Sequence, residues 1–189
     1  MAQDDYKTKQ SVVVVYTGDG KGKTSASVGL VARALGTGWK VAFVQFIKHW
    51  GVGEHTFLRD ISSLYDDKLL FYKGGKGFYA AGELSEKNVT EKEHKKAAEE
   101  TYRIAFDAAT SGDFQLVVCD EINNAVADGL LPEEKLAAII EKKAPQTSLC
   151  LTGRNFPARL LNHVDIATDM HKIKHHYDDK FVANKGIDF

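Results

Sequence analysis

The strongest constraint in this sequence is one junction. The apolar run Val12-Val13-Val14-Val15-Tyr16 passes directly into Thr17-Gly18-Asp19-Gly20-Lys21-Gly22-Lys23-Thr24, and a helix-patterned stretch follows at once. The β-branched run favours a strand. The glycines let backbone N–H groups converge on an anion without side chains in the way. The helix behind them turns its positive amino end toward the same point. Lys23 adds a point charge, and Thr24 offers a hydroxyl to a hard cation such as Mg2+. This is the strand–loop–helix context of a phosphate-binding loop, G-x-x-x-x-G-K-[ST], with Thr17 where the pattern has glycine.

The rest of the chain fits around that unit. Apolar runs occupy residues 11–16, 41–47, 69–72, 115–119, 147–151 and 164–170. Most are consecutive rather than alternating, which suits strands covered on both faces of a parallel sheet. Apolar spacing predicts helices over 23–35, with Gly36 as the stop, over 90–109, and over 132–143 with Pro132 in the first turn. Thr90 and Glu93 have capping-box spacing. The Glu/Lys/His run at 91–100 reads as a solvated helix face. Strands alternating with helices predict an α/β, P-loop NTPase-like three-layer sandwich with a mainly parallel central sheet. No repeat or linker divides the chain, so residues 1–189 read as one domain, with 1–10 as a flexible N-terminal segment.

Charge excludes some functions. With 25 basic and 26 acidic residues, nothing draws the chain as a whole to nucleic acid or to an anionic membrane. Anion binding must come from local geometry. No apolar run approaches the roughly 20 residues of a membrane span, and the polar start is unlike a signal peptide. Cys119 and Cys150 lie in apolar runs without zinc-type spacing, as buried reduced thiols would. These readings predict a cytoplasmic protein.

Two further segments suggest chemistry. The run Leu116–Cys119 ends in Asp120-Glu121, and strand-end carboxylates beside a phosphate loop hold or orient Mg2+ through hard oxygens. Thr24, Asp120 and Glu121 are therefore the candidate metal residues, and Lys23, Thr24 and Glu121 the candidate catalytic ones. Residues 73–87 hold Gly74, Gly75, Gly77 and Gly82 around the adjacent aromatics Phe78 and Tyr79. A core role is hard to build for two aromatics among glycines, and loops at strand ends commonly act on ligands. His175 and His176 are adjacent, a poor chelating pair if they lie on a strand. On these residues alone, a small phosphoryl-transferring kinase or NTPase remains an alternative, as does a nucleotide-dependent binding protein.

Four motifs in order resemble the P-loop type of corrinoid adenosyltransferase, which acts on cob(I)alamin or cob(I)yrinic acid a,c-diamide. They are the octet Thr17–Thr24; Val44-Gln45-Phe46-Ile47-Lys48 with Trp50 and Gly53-Glu54; Val117-Val118-Cys119-Asp120-Glu121 with Asn123, Asn124 and Gly129-Leu130-Leu131-Pro132; and Leu151-Thr152-Gly153-Arg154 with Pro157, Lys174-His175-His176-Tyr177-Asp178 and Lys185-Gly186-Ile187-Asp188-Phe189. The resemblance implies transfer of the 5'-deoxyadenosyl group of ATP to a Co(I) corrinoid with release of triphosphate. It also implies Mg2+, a flavoprotein reductant, a homodimer and a role in cobalamin biosynthesis. ATP would run along the loop with its phosphates reversed. Its contacts would come from Thr17, Gly18, Asp19, Gly20, Lys21, Gly22, Lys23, Thr24 and Ser25, with Lys48 and Arg154. Phe78 and Tyr79 would face the corrinoid. Ala80 stands where family members often have Trp, and His49 where Gly is usual.

Overall fold

A computed structural model describes residues 7–79, 85 and 88–189. Ala80, most of the glycine-rich loop after it, and the first six residues lie outside the described residues. Strands β1 (Val13–Thr17), β2 (Val41–Gln45), β3 (Leu69–Lys73), β4 (Leu116–Asp120), β5 (Ser148–Thr152) and β6 (Ile166–Asp169) form one sheet in the order β3-β2-β4-β5-β1-β6. Every pairing is parallel. Helices α1 (Lys23–Gly36), α2 (Gly53–Ser62), α3 (Glu91–Ser111), α4 (Ile122–Ala127) and α5 (Glu133–Lys142) cover both faces.

Side-chain alternation divides the core. Ala42, Val44, Val117, Cys119, Leu149 and Leu151 pack with Ala98, Ala105, Ile122 and Ile139 of α3, α4 and α5. Val41, Phe43, Leu116, Val118 and Cys150 pack with Val31, Leu35 and Leu58 of α1 and α2. Two buried faces explain the consecutive apolar residues of the strands. β6 differs. It is the edge strand and all four of its residues are exposed, so its apolar run does not mark double coverage.

Several boundaries shift for local reasons. α1 continues through Gly36, and Gly38 supplies the left-handed turn (φ 84°). Pro132 is the N-cap of α5 rather than a residue of its first turn. The capping box is present, with the Thr90 side chain accepting from Glu93 N and the Glu93 side chain accepting from Thr90 N. His175 and His176 lie at a 3-10 turn (His176–Asp179), not on a strand, and their rings approach to 4.7 Å.

The helix that the sequence does not signal, α2, buries only His55 and Leu58. The His55 ring is 1% exposed, packs against Phe71, and neither ring nitrogen finds a well-formed partner among the described residues. Burial lowers its pKa, so the fold holds the neutral ring. Below its ordinary pKa of 6.5 the unfolded chain takes up a proton that the folded one refuses. Stability therefore falls with pH there, on the order of 1 kcal/mol per pH unit. Urea unfolding at pH 7.5 and pH 5 should show a smaller acid loss for His55→Gln than for the unmutated protein. Equal losses would assign the acid sensitivity to other groups.

Candidate active site

The loop after β1 is braced before any ligand is considered. Thr17 Oγ1 accepts from Phe156 N at 3.2 Å, a tie that glycine at this position could not make. Gly18 (φ 97°) and Gly22 (φ 101°) adopt left-handed backbone. A Cβ on Gly18 would also lie 2.1 Å from Asp169 Oδ1, so the position demands glycine twice over. Gly20 N donates to Met170 O at 2.6 Å, and Asp19 accepts from Lys172 N. Lys21 pairs with Asp188, whose side chain is nearly covered and whose pKa is pulled down to about 2 by Asn184 N and Lys21. The last sequence motif thus lies against the loop.

Lys23 folds back, its Nζ donating to Gly18 O at 2.8 Å and Gly20 O at 2.5 Å. Burial and then the charge of Arg154 lower its pKa. An anion placed among these groups would relieve both effects. Arg154 is exposed, and its backbone N–H donates to Asn124 Oδ1 at 2.6 Å. Ser25 is exposed on the first turn of α1.

Behind the loop lies a buried polar knot built by strand register. Gln45 sits opposite Asp120, and Thr152 ends the next strand over. All three share side-chain parity with the residues that face α1 and α2. Asp120 is fully buried and accepts from Gln45 Nε2 (2.6 Å), Thr152 Oγ1 (2.6 Å) and Thr24 Oγ1 (3.1 Å), with Ser27 Oγ 3.4 Å away and its proton nearer to Thr24 O (2.8 Å). Its oxygens are saturated by protein donors, so Asp120 holds the Thr24 hydroxyl in place. Sequence reasoning passes over Ser27 and quotes Thr152 within a motif without a role. The clue was available, since odd-numbered and even-numbered strand residues face different helices, and a strand-end acid pointing at α1 needs donors there.

Glu121 breaks from the strand into left-handed backbone (φ 64°), with its N–H donating to Thr152 Oγ1 at 2.9 Å. Its Oε2 is buried with no hydrogen-bond partner among the described residues. Burial first, and the Asp120 charge second, raise its pKa to about 7 against the pull of Lys48. Lys48, at the end of the β2 loop, donates to Glu54 Oε1 at 2.9 Å and Thr24 Oγ1 at 3.3 Å. Desolvation alone would lower its pKa, but Glu121, Asp120 and Glu54 outweigh it and raise it.

The aromatics are placed differently from their sequence expectation. Phe78 and Tyr79 both pack, half-buried, against the core cluster, so a core role exists for each. Phe78 lies with its ring 4.8 Å from that of Trp50, two residues beyond Lys48 in the chain. Tyr79 turns to His94 of α3, ring to ring at 5.4 Å. Trp50 is the aromatic that sequence reasoning quoted without a role. A groove of about 410 Å³ opens beside Thr17 and Gly18, lined also by Phe156 and Asp169.

A glycine-rich loop between β1 and α1, backed by a buried strand-end carboxylate that grips the Thr24 hydroxyl, defines a P-loop nucleotide-binding protein. The chain belongs to the family described as ATP:corrinoid adenosyltransferase BtuR/CobO/CobP, whose profile matches residues 9–189. It is similar to the corrinoid adenosyltransferase of Pseudomonas aeruginosa, with 31% identity over 97% of this chain and 86% of the relative. The Sinorhizobium corrinoid adenosyltransferase is 32% identical over 96% of this chain and 81% of its own length. That of Escherichia coli K12 is 30% identical over all of this chain and 88% of the relative. Among the described residues no helix is long and apolar enough to cross a membrane.

Proposed function

We propose that this chain transfers the 5'-deoxyadenosyl group of ATP to the Co(I) centre of a corrinoid. The cobalt nucleophile forms a bond to C5', the C5'–O bond breaks, and triphosphate departs with the bonding electron pair. The observation that supports this reading best is the strained charge of Lys23, half-buried at the glycine-rich loop within reach of the Arg154 charge. Lys23 is depressed by burial and by Arg154, so both charges gain from a polyanion. Triphosphate gathers negative charge as it leaves, and fixed positive groups in a partly dry site stabilise that change more than the ground state. The loop of residues 17–25 would orient the phosphates through N–H groups other than that of Gly20, which is given to Met170 O.

Mg2+ fits the residues present. The orphaned, buried Glu121 Oε2 and the Thr24 hydroxyl held by Asp120 are hard oxygen donors. Thr24 and Glu121 would hold the ion, with Asp120 orienting Thr24. When bound, Mg2+ would offset phosphate charge. We also propose a homodimer, a flavoprotein source of electrons, a cytoplasmic location and a role in cobalamin biosynthesis. The family membership supports these.

The test is an anaerobic reaction of the protein with ATP and chemically reduced Co(I) cobalamin. Decay of the Co(I) spectrum with one triphosphate per adenosylated product is the expected result. ADP and phosphate in its place would identify a phosphoryl-transfer enzyme and overturn the reading.

Phe78 gives a finer prediction. An aromatic face on Trp50 would keep water and a lower base from one side of the cobalt, which favours its less charged state. Phe78→Ala should slow the reaction on the order of tenfold when it starts from Co(II) with a weak reductant. It should change the rate much less when Co(I) is supplied. Equal losses in both regimes would mean that Phe78 only shapes the loop. Tyr79→Ala should affect the two regimes equally, since Tyr79 is tied to α3.

A further inference from the structure

We infer that Lys48 occupies the cation position of the nucleotide-free site and must be drawn off before a divalent ion can settle there. The inference rests on the proposed ion site at Thr24 and Glu121. Three observations converge on it. Lys48 Nζ lies 3.3 Å from Thr24 Oγ1, the hydroxyl that would bind the ion. It lies 2.9 Å from Glu54 Oε1, in a pair whose side chains are only 15% and 19% exposed. Glu121 and Asp120, the other two acids of the site, are the charges that act on it most strongly. An ammonium so placed does part of what a bound cation would do. It offsets two buried carboxylates, and it donates to a hydroxyl whose own proton is already given to Asp120.

The consequences follow from charge and space. A divalent ion on Thr24 Oγ1 would stand within a few ångströms of the Lys48 ammonium that donates to the same oxygen, and two cations so close repel each other. Each therefore weakens the other's hold, and by linkage the weakening is mutual. A polyphosphate changes the balance, because its oxygens offer Lys48 a new partner while they add ligands to the metal. Lys48 is thus a positioning residue. It offsets part of the negative charge of the empty site and makes metal occupancy depend on nucleotide. The short stem from β2 lets the side chain swing between Glu54 and a phosphate without moving the strand.

The probe is Mn2+, read by the electron paramagnetic resonance signal of the free ion, with the full-length protein and no nucleotide. Lys48→Met, which keeps length and removes charge, should bind Mn2+ on the order of tenfold or more tighter than the unmutated protein. Lys48→Arg, which keeps the charge, should bind no tighter than the unmutated protein. Adding Glu121→Gln to the Met variant should abolish the gain, because the ion would lose its buried carboxylate. If the Met variant does not fold, Lys48→Gln serves the same comparison. A Met variant within about twofold of the unmutated protein would overturn the inference. So would a gain that survives Glu121→Gln, since the ion would then lie elsewhere. If neither the unmutated protein nor the Met variant takes up Mn2+ in the absence of nucleotide, the proposed metal site itself falls, whereas equal and measurable uptake by both overturns the Lys48 argument alone.

Discussion

Lys23→Ala should lower the turnover of ATP by roughly a hundredfold to a thousandfold, the loss typical when one preorganised electrostatic group is removed from a site of developing charge. The fold should hardly notice. Among the described residues the Lys23 ammonium donates to two carbonyls of its own loop, Gly18 O and Gly20 O, and Lys23 belongs to neither core cluster. Its ammonium is also uncomfortable where it stands, since burial and Arg154 both lower its pKa. Removing it relieves that cost in the empty protein, so the melting temperature should stay within a few degrees or rise. The deficit should lie mainly in turnover rather than in ATP affinity, because the charge matters most as triphosphate forms. Lys23→Arg should recover little, since a planar guanidinium cannot fold back into the narrow loop as an ammonium does. Stopped-flow decay of Co(I) at saturating ATP, with calorimetric melting of the same samples, checks both halves. Near-normal turnover in the Ala variant would remove the phosphate loop from the chemistry.

Much of this architecture is legible because its signals are local. A β-branched run, a glycine-rich octet and an apolar helix face lie in sequence order, so β1, the loop and α1 follow from neighbouring residues. The Thr90–Glu93 cap is likewise a four-residue signal, and it forms as its spacing implies. The parts that are not legible depend on partners far along the chain. α2 packs through His55, Leu58 and Ile61 alone, a stripe of three with a histidine in it, too short for the sequence pattern to register. α4 spans six residues, too few for periodicity to register. Thr152 and Gln45 matter because register sets them beside Asp120 across three strands, and register is a property of the sheet rather than of any segment. Phe78 and Tyr79 diverge for a similar reason. Adjacent residues point apart, and what each meets, Trp50 for one and His94 for the other, is supplied by elements that sequence order does not bring together. Glu121 was legible as a strand-end acid. Its left-handed backbone was not, because glycine or asparagine ordinarily fills that conformation.

Glu121→Gln should make the empty protein more stable at alkaline pH and the working enzyme much worse. The carboxyl is buried, one oxygen has no partner, and Asp120 adds a second negative charge nearby, which together raise its pKa to about 7. The sign follows from proton counting. Between its ordinary value of 4.5 and about 7, the folded protein keeps the proton that the unfolded chain has released. Unfolding then releases a proton, so stability falls as pH rises through that window and stays reduced above it. Glutamine never ionises and escapes the loss. In metal-free, nucleotide-free protein at pH 8 the variant should therefore be more stable by on the order of 1–3 kcal/mol, with the gain vanishing near pH 4. The same change replaces a hard anionic ligand with an amide, a far poorer partner for Mg2+. Turnover should drop about a hundredfold at ordinary Mg2+, while ATP binding in the presence of a chelator stays close to that of the unmutated protein. Strain in the left-handed backbone is common to both, because the tie from residue 121 N–H to Thr152 Oγ1 does not involve the side chain. Denaturant unfolding at pH 4, 6 and 8, with an Mg2+ titration of turnover, measures the two effects on one pair of proteins. A variant that is less stable at pH 8 would show that Lys48 already neutralises the carboxylate in full. An unchanged Mg2+ requirement would move the metal away from Glu121.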